Sequence, residues 1–396
     1  MLSASAAETV RATLPAVGKA IDEVARVFYR TMFTDHPKLL DGLFNRGNQA
    51  TGEQRAALAG SVVTFARVLV ERPGERPDAL LGRIAHKHVS VGVRKDQYPL
   101  VQHYLFQALR QVLGPAVTPA VAEAWAEVYW LMAHSLIAVE ERLYARSGAD
   151  RYGQWRPWRV EQRVTETPGT VSFWLAPADE TPVPGFRPGQ YVSVAVDLPD
   201  GTRQLRQYSL SGASPEGRRR ITVRRVTGDA ATPAGEVSEL LHREVRAGDI
   251  LQLSAPAGDI ALDEGGAPVL LASAGIGITP MAGMLAHLAA ARSRRRVIAV
   301  HADRSETDHV LREEQARLIA GLPEAELHLW YEECAAGGTA LPGRCDLSRL
   351  ELPPGLVAYL CGPVPFLKSA REDLLRAGVA PRDVHYEVFG PDLGLA

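Results

Sequence analysis

The hydrophobic periodicity of the chain changes twice, and these changes constrain the possible folds more than any other feature. Over residues 6–146, apolar side chains recur at spacings of three and four without strand-like alternation. This spacing is seen at Val17, Ile21, Val24 and Phe28. Pro37, Pro73 and Pro115 interrupt the pattern and indicate where helices end, and a last helix is predicted over residues 119–145. The first part of the chain is therefore predicted to be entirely helical.

After residue 149 the pattern changes to short runs rich in β-branched residues, separated by turn residues. The runs are 172–175, 191–196, 221–226 and 250–253. They predict an antiparallel barrel. From about residue 268 strand-like runs alternate with helical segments, which is typical of a parallel, doubly wound sheet whose ligand crevice lies at the carboxyl ends of the strands. We therefore predict three domains, over residues 1–147, 150–262 and 266–396.

The composition argues against several classes of protein. Lys and Arg number 44 against 46 Asp and Glu, a formal net charge of −2, whereas a protein that coats nucleic acid normally has a basic excess. The basic runs 218–220 and 294–296 are predicted to be solvated ends of hairpins or loops. Three cysteines without a CxxC pair fit a reducing compartment, and no stretch approaches the roughly 18 apolar residues of a membrane span. We expect a cytoplasmic protein that binds neither nucleic acid nor membrane.

One histidine of the helical part lies on an apolar helix face. The stripe runs through Leu81, Ile84, His88 and Val91. A core histidine is more often hydrogen-bonded filler than a metal ligand. However, Tyr29 follows an apolar helix face, and Gln54 and Leu58 are one helical turn apart. A haem pocket with one protein ligand uses a core histidine that faces side chains such as these Tyr, Gln and Leu residues.

These residues resemble those of the flavohaemoglobins, and the resemblance extends over essentially the whole length of the chain. The resemblance rests on Phe28–Phe33, on Leu43-Phe44-Asn45 with Gln54, Arg55 and Leu58, and on Lys87-His88-Val89-Ser90. It implies an all-α globin domain, an antiparallel β-barrel FAD domain and an α/β NAD(P) domain with a doubly wound parallel sheet. In the globin part it implies His88 as the proximal iron ligand, and Phe44 packed on the haem. It also implies Tyr29, Gln54 and Leu58 on the distal side, and Tyr98 and Glu140 as support for His88.

The support of His88 has a physical reason. An imidazole that donates its free N–H to a carboxylate gains imidazolate character, which favours activation of O₂ over simple carriage. From spacing alone, Glu140 is more simply explained as a surface charge in Glu140-Glu141-Arg142. The resemblance favours the first interpretation.

The barrel part carries two candidate flavin motifs. Arg206-Gln207-Tyr208-Ser209, preceded by Pro188-Gly189-Gln190-Tyr191, matches the RxYS pattern of ferredoxin-reductase-like flavoproteins. Arg206 would bind the pyrophosphate, and Tyr191 and Tyr208 would contact the flavin ring. The Ser209 hydroxyl would lie near the flavin N5 atom. Gly235-Glu236-Val237-Ser238 begins a short helix, and its amides and hydroxyl would meet the diphosphate, although an ordinary capped helix explains it nearly as well. We predict Gly235, Val237 and Ser238 as FAD-binding residues.

The last part carries candidate nicotinamide-nucleotide motifs. Gly275-Ile276-Gly277-Ile278-Thr279-Pro280 follows a predicted strand, with Thr279 as the expected N-cap and Pro280 as the first helical residue. Cys361-Gly362-Pro363 follows another strand and should lie at the same sheet edge, where the resemblance places the hydride-transfer cysteine; a buried structural cysteine is the alternative. Near the C-terminus, Glu387 and Phe389 resemble the family segment that contacts the flavin. Ile278 and Val388 depart from the glutamine and cysteine common in the family.

The resemblance implies a nitric oxide dioxygenase. In it NAD(P)H reduces FAD, FAD reduces haem b, and haem-bound O₂ oxidises NO to nitrate. A peroxide or quinone reductase, and an O₂ or NO sensor, are the alternatives. The implied partners are small molecules, O₂, NO and NADH or NADPH, and we expect a monomer. In His301-Ala302-Asp303-Arg304-Ser305, Arg304 and Ser305 would hold a 2′-phosphate whereas Asp303 would repel it, which favours NADH.

Overall fold

The structure is a computed structural model that describes residues 2–40, 53–75, 77–149, 154–183, 185–214, 216–228, 233–334 and 338–389. These residues form two compact units. One contains the chain up to Trp155 together with Ala195–Arg206, and the other contains Arg156–Val194 and Gln207–Phe389. Within the described residues, no helix combines the length and the apolar character that a membrane crossing requires.

The chain up to Ser147 is helical, as the periodicity predicts. Its helices are α1 (Ala4–Asp35), α2 (Glu53–Glu71), α3 (Asp78–Val91), α4 (Tyr98–Leu113) and α5 (Pro119–Ser147). Ser3 and Thr118 cap α1 and α5 because each side chain accepts a hydrogen bond from a backbone N–H of the first turn. The apolar faces of the helices meet in one core that includes Phe28, Phe65 and Trp125. Among the candidate haem-pocket residues, Tyr29 and Tyr98 belong to this core and Leu58 packs against it.

The second region is a closed antiparallel barrel. Its strands are β1 (Arg156–Thr167), β2 (Thr170–Pro177), β3 (Tyr191–Asp197), β4 (Arg203–Ala213), β5 (Arg219–Arg224) and β6 (Ile250–Leu253), in the order β1-β2-β5-β4-β3-β6. Helix α6 (Glu236–Arg243) follows β5. Inward-facing Phe173, Leu210 and Ile221 are fully buried. The predicted barrel is confirmed.

The last region is a six-stranded sheet in which every paired strand is parallel. It contains β7 (Val269–Ala274), β8 (Val297–Ser305), β9 (Ala325–Glu333), β10 (Leu341–Pro342), β11 (Val357–Cys361) and β12 (Val384–Glu387), in the order β10-β9-β8-β7-β11-β12. Helices α7 (Ile278–Ala290), α8 (Arg312–Ala320) and α9 (Val364–Arg376) connect the strands. The order reverses at β7, so β7 and its neighbours β8 and β11 define the ligand-binding edge. The predicted doubly wound sheet is confirmed.

The prediction that both basic runs are solvated is wrong for three residues, Arg219, Arg220 and Arg295, which are buried. Arg219 is 2% exposed, and its guanidinium lies 4.6 Å from the ring centroid of Trp158. Burial lowers the pKa of Arg219 to about 9. Arg220 pairs with Glu314, and Arg295 donates to the carbonyl of Ala267 at 2.7 Å. Each guanidinium is buried because a distant part of the chain supplies its partner.

Candidate functional site

His88 lies near the C-terminal end of α3, where Tyr98 of α4 and Glu140 of α5 meet its ring. Its Nδ1 is 2.8 Å from Glu140 Oε1 and 3.2 Å from the Tyr98 hydroxyl. The Tyr98 hydroxyl donates to the same Glu140 oxygen at 2.6 Å. A carboxylate can only accept, so Nδ1 carries the proton and Nε2 is left with its lone pair. The arrangement suits an imidazole that binds a metal through Nε2.

The two partners of His88 are held in a dry environment. Glu140 is 2% exposed and Tyr98 is 7% exposed. Burial and the neighbouring Glu140 carboxylate raise the pKa of Tyr98 well above its ordinary value. The phenol therefore stays protonated and continues to donate to Glu140. The interpretation of Glu140 as a surface charge is wrong, because its side chain points into the helical core.

Residues that the sequence did not single out hold the segment after His88. Gly92 ends α3 with φ +89°, a left-handed conformation that glycine adopts without strain. Tyr144 donates to the carbonyl of Val93 at 2.6 Å, and Gln154 Nε2 donates to the carbonyl of Val89 at 2.8 Å. These bonds join positions 51 and 65 residues apart, so no local pattern could have revealed them.

The predicted distal residues are only partly described. Tyr29 is 6% exposed and packs against Phe28 and Phe33, with ring centroids 4.7 Å and 5.5 Å away. Leu58 is partly buried against the same core. Phe44 and the side chain of Gln54 lie outside the described residues. The structure thus places Tyr29 and Leu58 in one core, and their contacts with a ligand stay predictions.

The candidate flavin motifs of β3 and β4 lie side by side in the barrel, because Leu210 N–H donates to the carbonyl of Gln190 at 2.9 Å. Ser209 is 4% exposed, and its hydroxyl has no hydrogen-bond partner in the described part of the chain. A buried hydroxyl without a partner is costly, so this atom fits a bound polar ligand. Tyr208 is half-buried, whereas the Arg206 guanidinium donates to the carbonyl of Leu205 at 2.7 Å.

The predicted FAD residues of β3 and of the start of α6 also make contacts within the protein. The backbone of Tyr191 forms two hydrogen bonds of 2.9 Å with Ala257, and its ring lies against Gly258. Gly235 precedes α6, and the Ser238 hydroxyl donates to the Gly235 carbonyl and accepts from the N–H of Val226. The single proton of that hydroxyl is already donated to Gly235, so a diphosphate here would be bound by backbone N–H groups such as that of the fully buried Val237.

The glycine turn after β7 fits tightly against the end of β11. A Cβ on Gly277 would lie 2.2 Å from the carbonyl oxygen of Cys361, and a Cβ on Gly362 would lie 2.9 Å from Phe366. Helix α7 begins at Ile278, so the expectation of Thr279 as N-cap and Pro280 as first helical residue is wrong by two positions. The Thr279 hydroxyl instead donates to the carbonyl of Ile276 at 3.0 Å.

Cys361 ends β11 and is completely buried. Burial raises the pKa of its thiol, so it is present as a thiol and not as a thiolate. Pro363 then precedes α9. On the neighbouring strand Glu387 is paired with Cys361, and Phe389, the last described residue, is 46% exposed. The sheet thus brings Cys361, Gly277 and Glu387 to one edge, and Ile278 points into the core.

Comparisons with known proteins agree with this geometry. The Globin family profile matches residues 26–136, the Oxidoreductase FAD-binding domain profile residues 157–262, and the Oxidoreductase NAD-binding domain profile residues 271–372. The chain is 41% identical to the flavohemoprotein of Bordetella pertussis, over 98% of this chain and 99% of that one. It is 40% identical to that of Chromobacterium violaceum over the full length of both. The chain belongs to the flavohaemoprotein family.

A solved flavohaemoprotein structure supports the same assignment. The flavohemoglobin of Malassezia yamatoensis with bound FAD and haem superimposes with a TM-score of 0.90 at 35% identity, covering 98% of this chain and 100% of that one. As a flavohaemoprotein, the chain has haem, FAD and a nicotinamide nucleotide as cofactors. The orphaned Ser209 hydroxyl and the available Nε2 of His88 fit the flavin and the haem iron. The glycine turn, whose backbone packs directly against the end of β11 at Cys361, fits the nucleotide.

Proposed function

We propose that this flavohaemoprotein is a nitric oxide dioxygenase that uses NAD(P)H to convert NO and O₂ into nitrate. The observation that carries the proposal is the hydrogen bond of 2.8 Å from His88 to the buried carboxylate of Glu140. Each NO consumes one O₂ and one electron and leaves as nitrate, so one NAD(P)H serves two NO. When bound, the nicotinamide nucleotide supplies hydride, FAD divides the electron pair, and the haem iron binds O₂.

The residues around His88 favour activation of O₂. Glu140 accepts a hydrogen bond from Nδ1, which increases the electron donation of Nε2 toward a bound metal. Tyr98 fixes the same carboxylate oxygen from the other side, so the ring and the carboxylate keep one relative orientation. An oxygen store does not need this basic ligand. On the distal side we assign Tyr29 to hydrogen bonding with the diatomic ligand, and Gln54 and Leu58 to shaping the pocket. Phe44 is assigned to packing on the haem.

The reductase residues have separate roles. We assign Ser209, Tyr208, Tyr191 and Arg206 to FAD, together with the start of α6, and the turn Gly275–Gly277 with Thr279 and Pro280 to the nicotinamide nucleotide. We assign Cys361, Gly362 and Pro363 to the nicotinamide edge, and Glu387 and Phe389 to the segment that contacts the flavin. The solved FAD/NAD-binding domain of a nitric oxide dioxygenase from Vibrio cholerae supports this assignment, with 38% identity and a TM-score of 0.56 over 60% of this chain. Monomeric state and cytoplasmic location stay predictions.

The second candidate function is reduction of peroxides, because an electron-rich proximal histidine also favours cleavage of an O–O bond. Stopped-flow mixing distinguishes the two reactions. The fully reduced, oxygenated protein is mixed with NO in one experiment, and the reduced protein with hydrogen peroxide in the other. The proposal predicts much faster oxidation by NO, with nitrate as product. Oxidation that is faster with peroxide would overturn it.

A further inference from the structure

An acidic residue lies beside the glycine turn of the nucleotide sheet. In the parallel pairing of β7 with β8, Ala274 is opposite Ala302. Gly275 directly follows β7, and Asp303 is the next residue of β8, so the two lie at a similar level where β7 ends. In nucleotide-binding sheets this is where a carboxylate meets the adenosine ribose. Asp303 is therefore placed to contact the ribose of a nucleotide bound at the turn.

The Asp303 carboxylate is held by a buried polar chain. His301 Nε2 lies 3.3 Å from Asp303 Oδ2, and the N–H of Arg304 donates to Asp303 Oδ1 at 2.9 Å. On the other side of the ring, His301 Nδ1 lies 2.9 Å from the Ser273 hydroxyl. Because the carboxylate only accepts, Nε2 carries the proton, and Nδ1 accepts from Ser273. His301 and Ser273 are both completely buried.

A second histidine fixes the ring of His301. His309 stacks on it with ring centroids 3.9 Å apart and 25° between the planes, and His309 Nδ1 is 2.8 Å from the Tyr331 hydroxyl. Burial, and then the neighbouring His301, lower the pKa of His309 to about 2, so this ring is neutral at physiological pH. The His301 ring cannot turn without disturbing the stack, and Asp303 keeps one orientation.

The groups that could bind a 2′-phosphate are less well placed. The Ser305 hydroxyl donates its single proton to Asp308 at 2.7 Å, which brings a second carboxylate to the same segment. The Arg304 side chain is exposed, and the backbone N–H of Arg304 donates a hydrogen bond to the Asp303 carboxylate. An oriented carboxylate accepts a hydrogen bond from a ribose hydroxyl and repels a phosphate.

We propose that Asp303, oriented by His301, selects NADH over NADPH by accepting a hydrogen bond from the adenosine 2′-hydroxyl. This rests on the proposed function, which requires a nicotinamide nucleotide at this sheet. His301 is a positioning residue in this account, because it acts through Asp303.

Isothermal titration calorimetry on the full-length protein, loaded with FAD and haem, measures the binding affinities that test the proposal. The probes are ADP-ribose and 2′-phospho-ADP-ribose, which differ only in the 2′-phosphate. We expect ADP-ribose to bind about ten- to a hundredfold more tightly, the range of a hydrogen bond to a charged group. In Asp303→Asn this ratio should fall to within about threefold, because the amide no longer repels phosphate. Glu306→Gln, which removes an exposed charge three residues away, is the matched control and should keep the ratio.

The role of His301 has its own pair of variants. His301→Phe keeps a ring against His309 but removes the Nε2 proton, so the ratio should fall. His301→Gln returns an amide N–H at a similar depth and should restore most of it. Equal binding of both probes to the wild type, or an unchanged ratio in Asp303→Asn, would overturn the proposal while leaving the dioxygenase intact. Failure of both probes to bind would overturn the proposed function as well.

Discussion

The Glu140 carboxylate lies 2.8 Å from His88 Nδ1, and in the proposed function it tunes the metal that this imidazole binds. Its neighbour Glu141 is exposed and pairs with Lys95 at 3.0 Å. The two adjacent glutamates differ because successive residues of α5 point in different directions, one into the core and one into solvent. Local sequence could not separate them, since the partners His88 and Tyr98 lie 52 and 42 residues away.

Glu140→Gln should therefore lower NO consumption by roughly ten- to a hundredfold, which is the usual cost of changing a residue that orients a metal ligand. The neutral amide accepts a weaker hydrogen bond from Nδ1 and leaves the imidazole a poorer donor. The iron–histidine stretching frequency of the reduced protein should fall with it. Glu141→Gln is the matched control, and similar effects of the two substitutions would contradict the assignment.

His309 gives a pH-dependent prediction. The pKa of His309 is about 2 in the folded chain against 6.5 ordinarily, so only the unfolded chain takes up this proton as the pH falls below 6.5. Folding stability is therefore lost on acidification, by about 2 kcal/mol at pH 5 for this group. Urea unfolding of wild type and His309→Gln at pH 7 and pH 5 measures it. The loss between the two pH values should be smaller in His309→Gln, whereas the half-buried His328→Gln should lose as much as wild type.

At the scale of elements, hydrophobic periodicity predicts most of the fold. The predicted helix 119–145 is observed as Pro119–Ser147, and the predicted strand 250–253 is observed unchanged. The pattern of β-branched runs did not reveal β1, whose many charged residues hide the apolar alternation. Arg219 and Arg220 were also predicted to lie in solvent. Their partners, Trp158 and Glu314, come from other elements, and such tertiary contacts leave no local signal.

The contact between the glycine turn and β11 predicts the effect of a single methyl group. In Gly277→Ala the new Cβ would meet the Cys361 carbonyl, so the turn and the strand end must separate, at about 1–3 kcal/mol of overpacking. Reduction of the flavin by NADH in anaerobic stopped flow should slow by at least about tenfold, because 1.4 kcal/mol lost at the transition state suffices. Gly266→Ala, whose Cβ enters open space, is the control and should react at the wild-type rate.

At the scale of the whole molecule, the family places a haem-binding part before a flavin-binding part and a nucleotide-binding part. The residues proposed for haem all precede residue 150, and those proposed for FAD and the nucleotide all follow it. A hydride donor supplies two electrons at once and haem iron accepts one, so a flavin is needed between them. The two half-reactions should therefore be separable by substitution.

His88→Ala tests that separation. Loss of the imidazole should remove most of the haem, or leave haem whose Soret band is restored by added imidazole. The same protein should still bind FAD and reduce ferricyanide with NADH at a rate close to wild type. His86→Ala, two residues away on the same helix, should keep a normal Soret band. A normal Soret band in His88→Ala would rule out His88 as the iron ligand.

The fate of the oxygen atoms tests the central claim most directly. The purified protein, loaded with haem and FAD, is supplied with NADH, NO and ¹⁸O₂, and the nitrate formed is analysed by mass spectrometry. Dioxygenation predicts nitrate that carries two labelled oxygen atoms, with one NADH consumed for every two nitrate ions. Nitrate with one labelled atom or none, or consumption of NO without nitrate, would contradict the account.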